Sequence, residues 1–200
     1  MPSAYAERLT ITPDAYLAGE KLADIRHEYI DGELYAMAGG SDAHALIGLN
    51  AAALLKSHLR GSGCRTYLGE MKAQADDTKY LYPDVMVTCD DEDRKRNHSK
   101  RHPLLIIEVL SNSTEAYDRG KKFGYYRQMD SLREYVLIDQ TEYHVDVFRK
   151  NTQQRWELFS FAGEDTELCL SSVDACFRLA DLYEDVDFAL ALAERTPGAE

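Results

Sequence analysis

Two acidic residues stand in settings where acids are expensive. Glu108 lies within LLIIEVLS, Leu104 to Ser111, with four aliphatic residues before it and two after. A buried, unpaired carboxylate costs several kcal/mol, so a chain that keeps one there pairs it or gives it a cation. Asp84, in YLYPDVMVTC, lies 12 residues before Arg96, and Glu108 lies 12 after it. If the two runs are consecutive antiparallel strands with the connection centred on Arg96, the carboxylates fall opposite one another. Opposed residues share a face, about 4.5–5.5 Å apart, and a one-residue slip would break the match. Carboxylates that close repel unless a proton or a cation lies between them. Their hard oxygens suit Mg²⁺ or Mn²⁺. The same spacing also admits two strand-end acids in separate salt bridges with Arg or Lys.

A helical reading after Glu108 adds a third group. At roughly 100° per residue from Asp118, Lys122 falls near 40°, Tyr125 near −20°, Tyr126 near 80° and Met129 near 20°. Lys122 thus points with the apolar stripe toward the sheet, while Lys121, near −60°, lies at its margin. An inward lysine needs an anionic partner, which the Asp84–Glu108 pair or a bound phosphate could supply. A metal held by two acids beside a lysine is suited to phosphodiester hydrolysis. The metal polarises the phosphoryl oxygens and acidifies a bound water; the lysine orients that water and stabilises developing charge.

These groups need a frame. ITPDAYLAGE reads as a short helix with Thr12 as N-cap and Pro13 at its first position. HEYIDGELYAM reads as a hairpin around Asp31-Gly32. SDAHALIGLNAAALLKSHL reads as a helix capped by Ser41, with Gly61 and Gly63 past its end. CRTYLGEMKAQA, YLYPDVMVTC and PLLIIEVLS follow as strands. A third helix is expected from about Asn112 to Met129, with Asn112 and Glu115 at capping-box spacing. EYVLIDQ is a further strand, and YHVDVFRK and RWELFSF form a hairpin around NTQQ. The expected architecture is α/β: one mixed sheet flanked by helices, with an N-terminal hairpin extension. A single domain over residues 1–192, with its core at about 41–140 and a flexible tail at 193–200, accounts for the length.

The composition is 44% hydrophobic and 29% charged, as expected of a soluble globular chain. No apolar run approaches the roughly 18 residues of a membrane span. MPSAYAERLT has neither the basic nor the apolar region of a secretory signal, so a cytoplasmic location is expected. Cys64, Cys89, Cys169 and Cys176 show no metal-finger spacing and read as small core residues. The net charge of −12 disfavours loose attraction to nucleic acid. Two basic islands stand against that background: Arg94 to His102, and Arg119, Lys121, Lys122 and Arg127. Each is either solvated surface or substrate contact. Asp90 to Lys100 reads as a long basic loop, either mobile or in contact with substrate.

YPDVMV, IIEVLS and DRGKKFGYYRQ, followed by EYVLID, resemble the Uma-two family of "putative restriction endonucleases", within the PD-(D/E)XK nuclease superfamily. HEYIDGELYAMAGGSDAH upstream also matches its style, and the likeness runs roughly from ITPDAYLAGE to EYVLIDQ. Pro83-Asp84 fits the first part of the superfamily motif and Glu108 the second. Leu110 stands where the motif has its lysine, and the resemblance implies that Lys122, on the next helix, replaces it. Tyr126 matches a further family position, and Glu28 and His44 correspond to polar positions of its N-terminal segment. By itself, His44 near a helix start reads as a cap or surface residue. The resemblance implies a restriction-endonuclease-like fold, a divalent metal and DNA cleavage. Asp84, Glu108 and the Val109 carbonyl would hold the metal, Lys122 would position the water, and Tyr126 would support the phosphate or the lysine. Cutting two strands would favour a homodimer. The competing expectation is a non-catalytic module that keeps the fold and binds nucleic acid or protein.

Overall fold

The computed structural model describes residues 10–37 and 39–195. Helix α1 (Pro13–Glu20) begins where Thr12 Oγ1 accepts from the Ala15 N–H at 3.2 Å and Pro13 fills a position that needs no N–H. Strands β1 (His27–Ile30) and β2 (Glu33–Ala36) form the expected hairpin. Its turn residues Asp31 and Gly32 have φ of 50° and 95°, the left-handed pair a two-residue turn requires. Helix α2 (Asp42–His58) is capped by Ser41 Oγ and buries Ile47, Ala51 and Leu55, one every fourth residue.

The chain then weaves between two sheets. Strand β3 (Arg65–Leu68) belongs to the first, β4 (Lys72–Asp76) and β5 (Lys79–Leu81) to the second, and β6 (Val85–Thr88) returns to the first. Helix α3 (Asp91–Lys95) and the short β7 (Ser99–Lys100) lead to β8 (Pro103–Leu110). Helix α4 (Glu115–Tyr117), a π turn (Asp118–Lys122) and α5 (Phe123–Tyr126) follow without a break. Strands β9 (Glu134–Asp139), β10 (His144–Lys150), β11 (Trp156–Ala162), β12 (Glu167–Leu170) and β13 (Ala175–Arg178) precede α6 (Leu179–Leu182) and α7 (Phe188–Arg195). The six-stranded sheet has the order β11-β10-β9-β8-β6-β3 and is antiparallel except for β8–β9; the five-stranded sheet has the order β2-β1-β5-β4-β7. One face of the larger sheet packs on α2, the β12–β13 hairpin and α6; the other packs on Phe123, Tyr126, Met129 and Leu132.

This mixed α/β architecture departs from the expectation in several places. There is a second sheet, and the N-terminal hairpin is built into it rather than appended. Tyr29 pairs with Tyr80 of β5, and Tyr16, Tyr29 and Tyr80 make a small core of their own. CRTYLGEMKAQA and YLYPDVMVTC are not continuous strands, because each crosses between sheets. The first crosses near Gly69, whose φ is 60°, and the second at Pro83-Asp84, where proline has no N–H to give a ladder. The helix expected from Asn112 starts at Glu115, whose N–H reaches Ser111 O at 2.9 Å, and Thr114 rather than Asn112 stands at its cap position. Regular helix stops at Tyr126, before Met129. The main core also continues beyond residue 140, through Val145, Val147, Leu168, Leu179 and Leu182. Helix α7 reaches Arg195, and the rest of the expected tail, residues 196–200, lies outside the described residues.

The cysteines are half-buried or exposed rather than small core residues, although Cys64 packs against the main core. Cys64 and Cys89 lie opposite one another just beyond the β3–β6 ladder, Cys169 and Cys176 are paired across β12–β13, and each couple is joined in a disulfide. Asp90–Lys100 is not a loose loop either. Buried Asp93 accepts from Thr88 Oγ1 and from the Arg101 and His102 N–H groups, and Lys100 Nζ donates to the Asp93 and Arg96 carbonyls. Arg94 bonds Gly63 O, and Arg96 bonds Gln74. The segment leaves β6 at the end away from Asp84.

Candidate active site

The crossing at Tyr82-Pro83-Asp84 places both sheets around one point. β6 and β8 pair with Val85 opposite Ile107 and Val87 opposite Leu105, a register that puts Asp84 opposite Glu108. The register shifts only past Val87, at the far end. Each acid reaches the other's strand: Glu108 Oε2 accepts from the Asp84 N–H at 3.4 Å, and Asp84 Oδ2 accepts from the Val109 N–H at 2.7 Å. Both line a cavity of about 670 Å³ between the β1–β2 hairpin, the start of α2, the end of β8 and the π turn.

Lys122 enters from the π turn. Its Nζ lies 3.0 Å from Glu108 Oε1, 3.4 Å from Glu28 Oε1 and 3.6 Å from Asp118 Oδ1, and it donates to Tyr82 O at 3.2 Å. Its side chain is 8% exposed, whereas Lys121 is a surface residue on the cavity rim. A π turn leaves a carbonyl without its usual helical partner. Here Tyr135 Oη, from β9, donates to Asp118 O at 2.9 Å. Glu28 is held from two sides, accepting from the Tyr82 N–H at 3.0 Å and from Tyr117 Oη at 3.1 Å. His44 is neither a cap side chain nor free surface, since its Nε2 lies 3.2 Å from Asp84 Oδ2. Gly40 leaves room for that ring: a Cβ there would come within 2.8 Å of His44 Nδ1.

Of the residues singled out by sequence, Glu28, His44, Asp84, Glu108, Val109 and Lys122 therefore meet at one cavity. Tyr126 does not line it. The Tyr126 hydroxyl is buried behind the site, close enough to feel the charges of Glu108 and Lys122, and has no hydrogen-bond partner among the described residues. Asp118, Tyr117 and Tyr82 are additions. Asp118, four residues before Lys122, is the one that spacing could have found.

The charge balance is uneven. Glu28, Asp84, Glu108 and Asp118 face one ammonium and one imidazole. Burial pushes the Glu108 carboxyl well above the usual range, and although Lys122 opposes this, the charges of Asp84 and Asp118 add to it. Burial likewise raises Asp118, against Lys122 and a Thr114 hydrogen bond. At Asp84 burial also pushes up, but His44, Lys122 and the Val109 N–H outweigh it and hold the carboxyl low. Burial alone would discharge Lys122, but Glu108 and Glu28 hold it firmly protonated. His44 is raised because the hydrogen bond and charge of Asp84 exceed the effect of burial.

This donor set fits a hard divalent cation. Glu108 Oε1 and Asp118 Oδ1 are buried and accept no aligned hydrogen bond. No three of these acids and His44 bring ligand atoms within 4.8 Å of one another, so the fit is to an ion held by two protein carboxylates plus waters.

Residues 13–179 match the family Uma2, described as "Putative restriction endonuclease". The chain belongs to the Uma2 family. It is 38% identical over 188 residues to uncharacterized protein slr1290 of Synechocystis sp. (strain ATCC 27184 / PCC 6803 / Kazusa), covering 94% of this chain and 97% of that protein. It is 34% identical over 161 residues to uncharacterized protein sll1609 of the same organism, covering 79% and 91%. The fold of this Uma2 protein is also that of a solved structure from Anabaena variabilis ATCC 29413, titled a putative nuclease belonging to DUF820. That match has a TM-score of 0.69 at 20% identity and covers 86% of this chain and 97% of the other. Among the described residues no helix is long and apolar enough to cross a membrane.

Proposed function

We propose that this Uma2 protein is a divalent-metal-dependent endonuclease that hydrolyses DNA phosphodiester bonds on a restriction-endonuclease-like scaffold. The observation that carries the reading is the surplus of buried carboxylates over cations where β6, β8 and the π turn meet. Asp84 and Glu108 would hold Mg²⁺ or Mn²⁺, with the Val109 carbonyl beside them. The bound ion would supply Lewis acidity toward the phosphoryl oxygens and toward a water.

The chain's own groups have separable tasks. His44 and the Val109 N–H fix Asp84 in its ionised, metal-binding form. Glu108, Glu28 and Asp118 hold Lys122 protonated, so it acts as a donor and a positive charge rather than as a base. From there Lys122 orients the attacking water and stabilises charge on the phosphate. Tyr117 and the Tyr82 N–H keep Glu28 on the lysine. Both strands of a duplex would be cut by a homodimer carrying two such sites.

Calorimetric titration with Mn²⁺, paired with cleavage assays on linear and supercoiled DNA, tests the reading. Metal binding and cleavage should both disappear in Asp84→Asn. A wild-type protein that binds neither Mg²⁺ nor Mn²⁺ and cuts no DNA substrate would leave the nuclease-fold binding module as the better account.

A further inference from the structure

Tyr82 separates two cavities. Its backbone serves the carboxylate site, and its phenol lines a second cavity of about 370 Å³. Besides Tyr82, that cavity is walled by Glu20 at the end of α1, Lys21 and Arg26 after it, Glu70, Met71 and Lys72 at the start of β4, and Asn97 and His98 between α3 and β7. Asn97 and His98, in the basic island and unused by the catalytic reading, therefore meet Lys21 and Arg26, 71–77 positions earlier in the chain.

Lys72 is 8% exposed. Among the described residues its Nζ makes one hydrogen bond, 3.1 Å from Tyr82 Oη, and has no carboxylate oxygen within 4.0 Å. Tyr82 Oη gives its own proton to Glu20 Oε1 at 3.0 Å, so toward Lys72 it is an acceptor. Glu20 is already committed to the His27 N–H at 2.8 Å and to His27 Nδ1 at 3.2 Å. Glu70 is taken by Arg26. The faces of Tyr82 and Tyr16 also meet the ammonium, with centroids 5.2 Å and 6.0 Å from Nζ. A lysine has three donors, and leaving two of them undirected on a buried cation is costly.

We infer that this cavity binds a phosphate group, with Lys72 as its central donor and Arg26, Lys21 and His98 around it. Donors arriving from separate segments suit a tetrahedral oxyanion, whose oxygens point several ways, better than a planar carboxylate. The phosphate could be free or could be the terminal phosphate of a nucleic acid. The inference does not depend on the cleavage activity, because no residue of the metal site except Tyr82 takes part.

The test uses the full chain without metal, in chelator, titrated calorimetrically with inorganic phosphate and with oligonucleotides carrying a 5′-phosphate or a 5′-hydroxyl. Saturable phosphate binding is expected, weakened about tenfold or more in Lys72→Met, the order of one charge-assisted hydrogen bond, and unchanged in the surface variant Lys95→Ala. If a 5′-phosphorylated strand binds more tightly than both its 5′-hydroxyl counterpart and inorganic phosphate, and Lys72→Met erases the gain, the ligand is a nucleic-acid end. Equal affinity for the phosphorylated strand and inorganic phosphate identifies the free anion. Absence of saturable phosphate binding, or binding as tight in Lys72→Met as in the wild type, overturns the inference. Should Lys72→Met fail to fold, the exposed pair Asn97→Ala/His98→Ala decides: severalfold weakening supports the site, and full affinity removes it.

Discussion

Replacing Lys122 by methionine keeps the length of the side chain and removes the ammonium that meets Glu108, Glu28 and Asp118 together. The distances are 3.0, 3.4 and 3.6 Å. At an effective dielectric of about 20 these pairs are worth roughly 5.5, 4.9 and 4.6 kcal/mol, about 15 together. Desolvation of the buried ions cancels most of that, and removing one partner of a buried pair typically costs about 3–5 kcal/mol. With three acids stranded, Lys122→Met should lose close to 5 kcal/mol at pH 7, which is much of the roughly 5–15 kcal/mol that holds a domain.

The sign with pH is fixed by the acids. Burial already raises Glu108 and Asp118, and losing the ammonium raises them further. An acid whose folded pKa is raised weakens the fold as pH climbs from its unfolded value to its folded one. The deficit of Lys122→Met should therefore shrink as pH falls from 7 toward 5. In the wild type, the stability tied to the raised Lys122 pKa is fully present below the ordinary lysine value and fades in alkali. Urea denaturation in chelator at pH 5 and pH 7 measures the first effect, and a series carried into alkali above the ordinary lysine value measures the second. Lys121→Met, on the surface, should change stability by less than about 0.5 kcal/mol. A deficit under about 1 kcal/mol for Lys122→Met, or one that does not diminish at pH 5, would refute the electrostatic account of the site.

Other expectations follow from the same geometry. Mn²⁺ should raise the Tm of the wild type but not of Asp84→Asn, as thermal scans with and without chelator would reveal. Lys122→Ala should slow metal-dependent cleavage by about 10²–10³, with Lys121→Ala keeping most of the rate, and equal losses would remove Lys122 from its assigned role. Deleting Gly120 from the π turn should rotate Lys122 by about 100° and abolish cleavage, whereas Tyr135→Phe should cost only about 1 kcal/mol in denaturant. Because Arg94 and Lys95 sit at the end of β6 away from Asp84, neutralising both should leave the salt slope of DNA binding unchanged; a flattened slope would return that segment to the substrate path. Reducing the Cys64–Cys89 link, which joins positions 25 apart, should lower stability by about 3 kcal/mol, measurable by denaturation with and without reductant.

The Asp84–Glu108 opposition was legible because it needed only a strand register, and the register holds as far as Val87 opposite Leu105. Thr12, Ser41 and the Asp31-Gly32 turn were legible for the same reason: each acts over three or four residues. The second sheet was not. Nothing local distinguishes a strand that continues through Pro83 from one that changes sheets there, and β1 meets β5 across about fifty residues of chain. The basic segment is misleading because charge suggests exposure, whereas Lys100 is buried with its Nζ on the Asp93 carbonyl and Asp93 is buried with its carboxylate on the Arg101 and His102 N–H groups. The cysteines misled because sequence spacing does not show that Cys64 and Cys89 flank paired strands.

The lysine's position has a physical explanation in the strand geometry. Residues two apart on a strand share a face, so position 110 projects to the same side of β8 as Glu108. Leu110 occupies it and is buried with Phe123, Tyr126 and Leu137. That face is covered by the segment carrying the π turn, so an ammonium can reach Glu108 either along the strand or from the segment above it. The second route has a different consequence. A lysine on the strand would be fixed by β8 alone, whereas Lys122 is fixed by Asp118 on its own turn, by Glu28 from the hairpin and by Tyr82 O at the crossing between sheets. The N-terminal hairpin thereby becomes part of the site. Glu28→Gln should consequently weaken the hold on Lys122 without touching Asp84 or Glu108, lowering the cleavage rate while metal affinity measured by calorimetry stays near that of the wild type. A parallel loss of metal affinity would mean that Glu28 belongs to the ion rather than to the lysine.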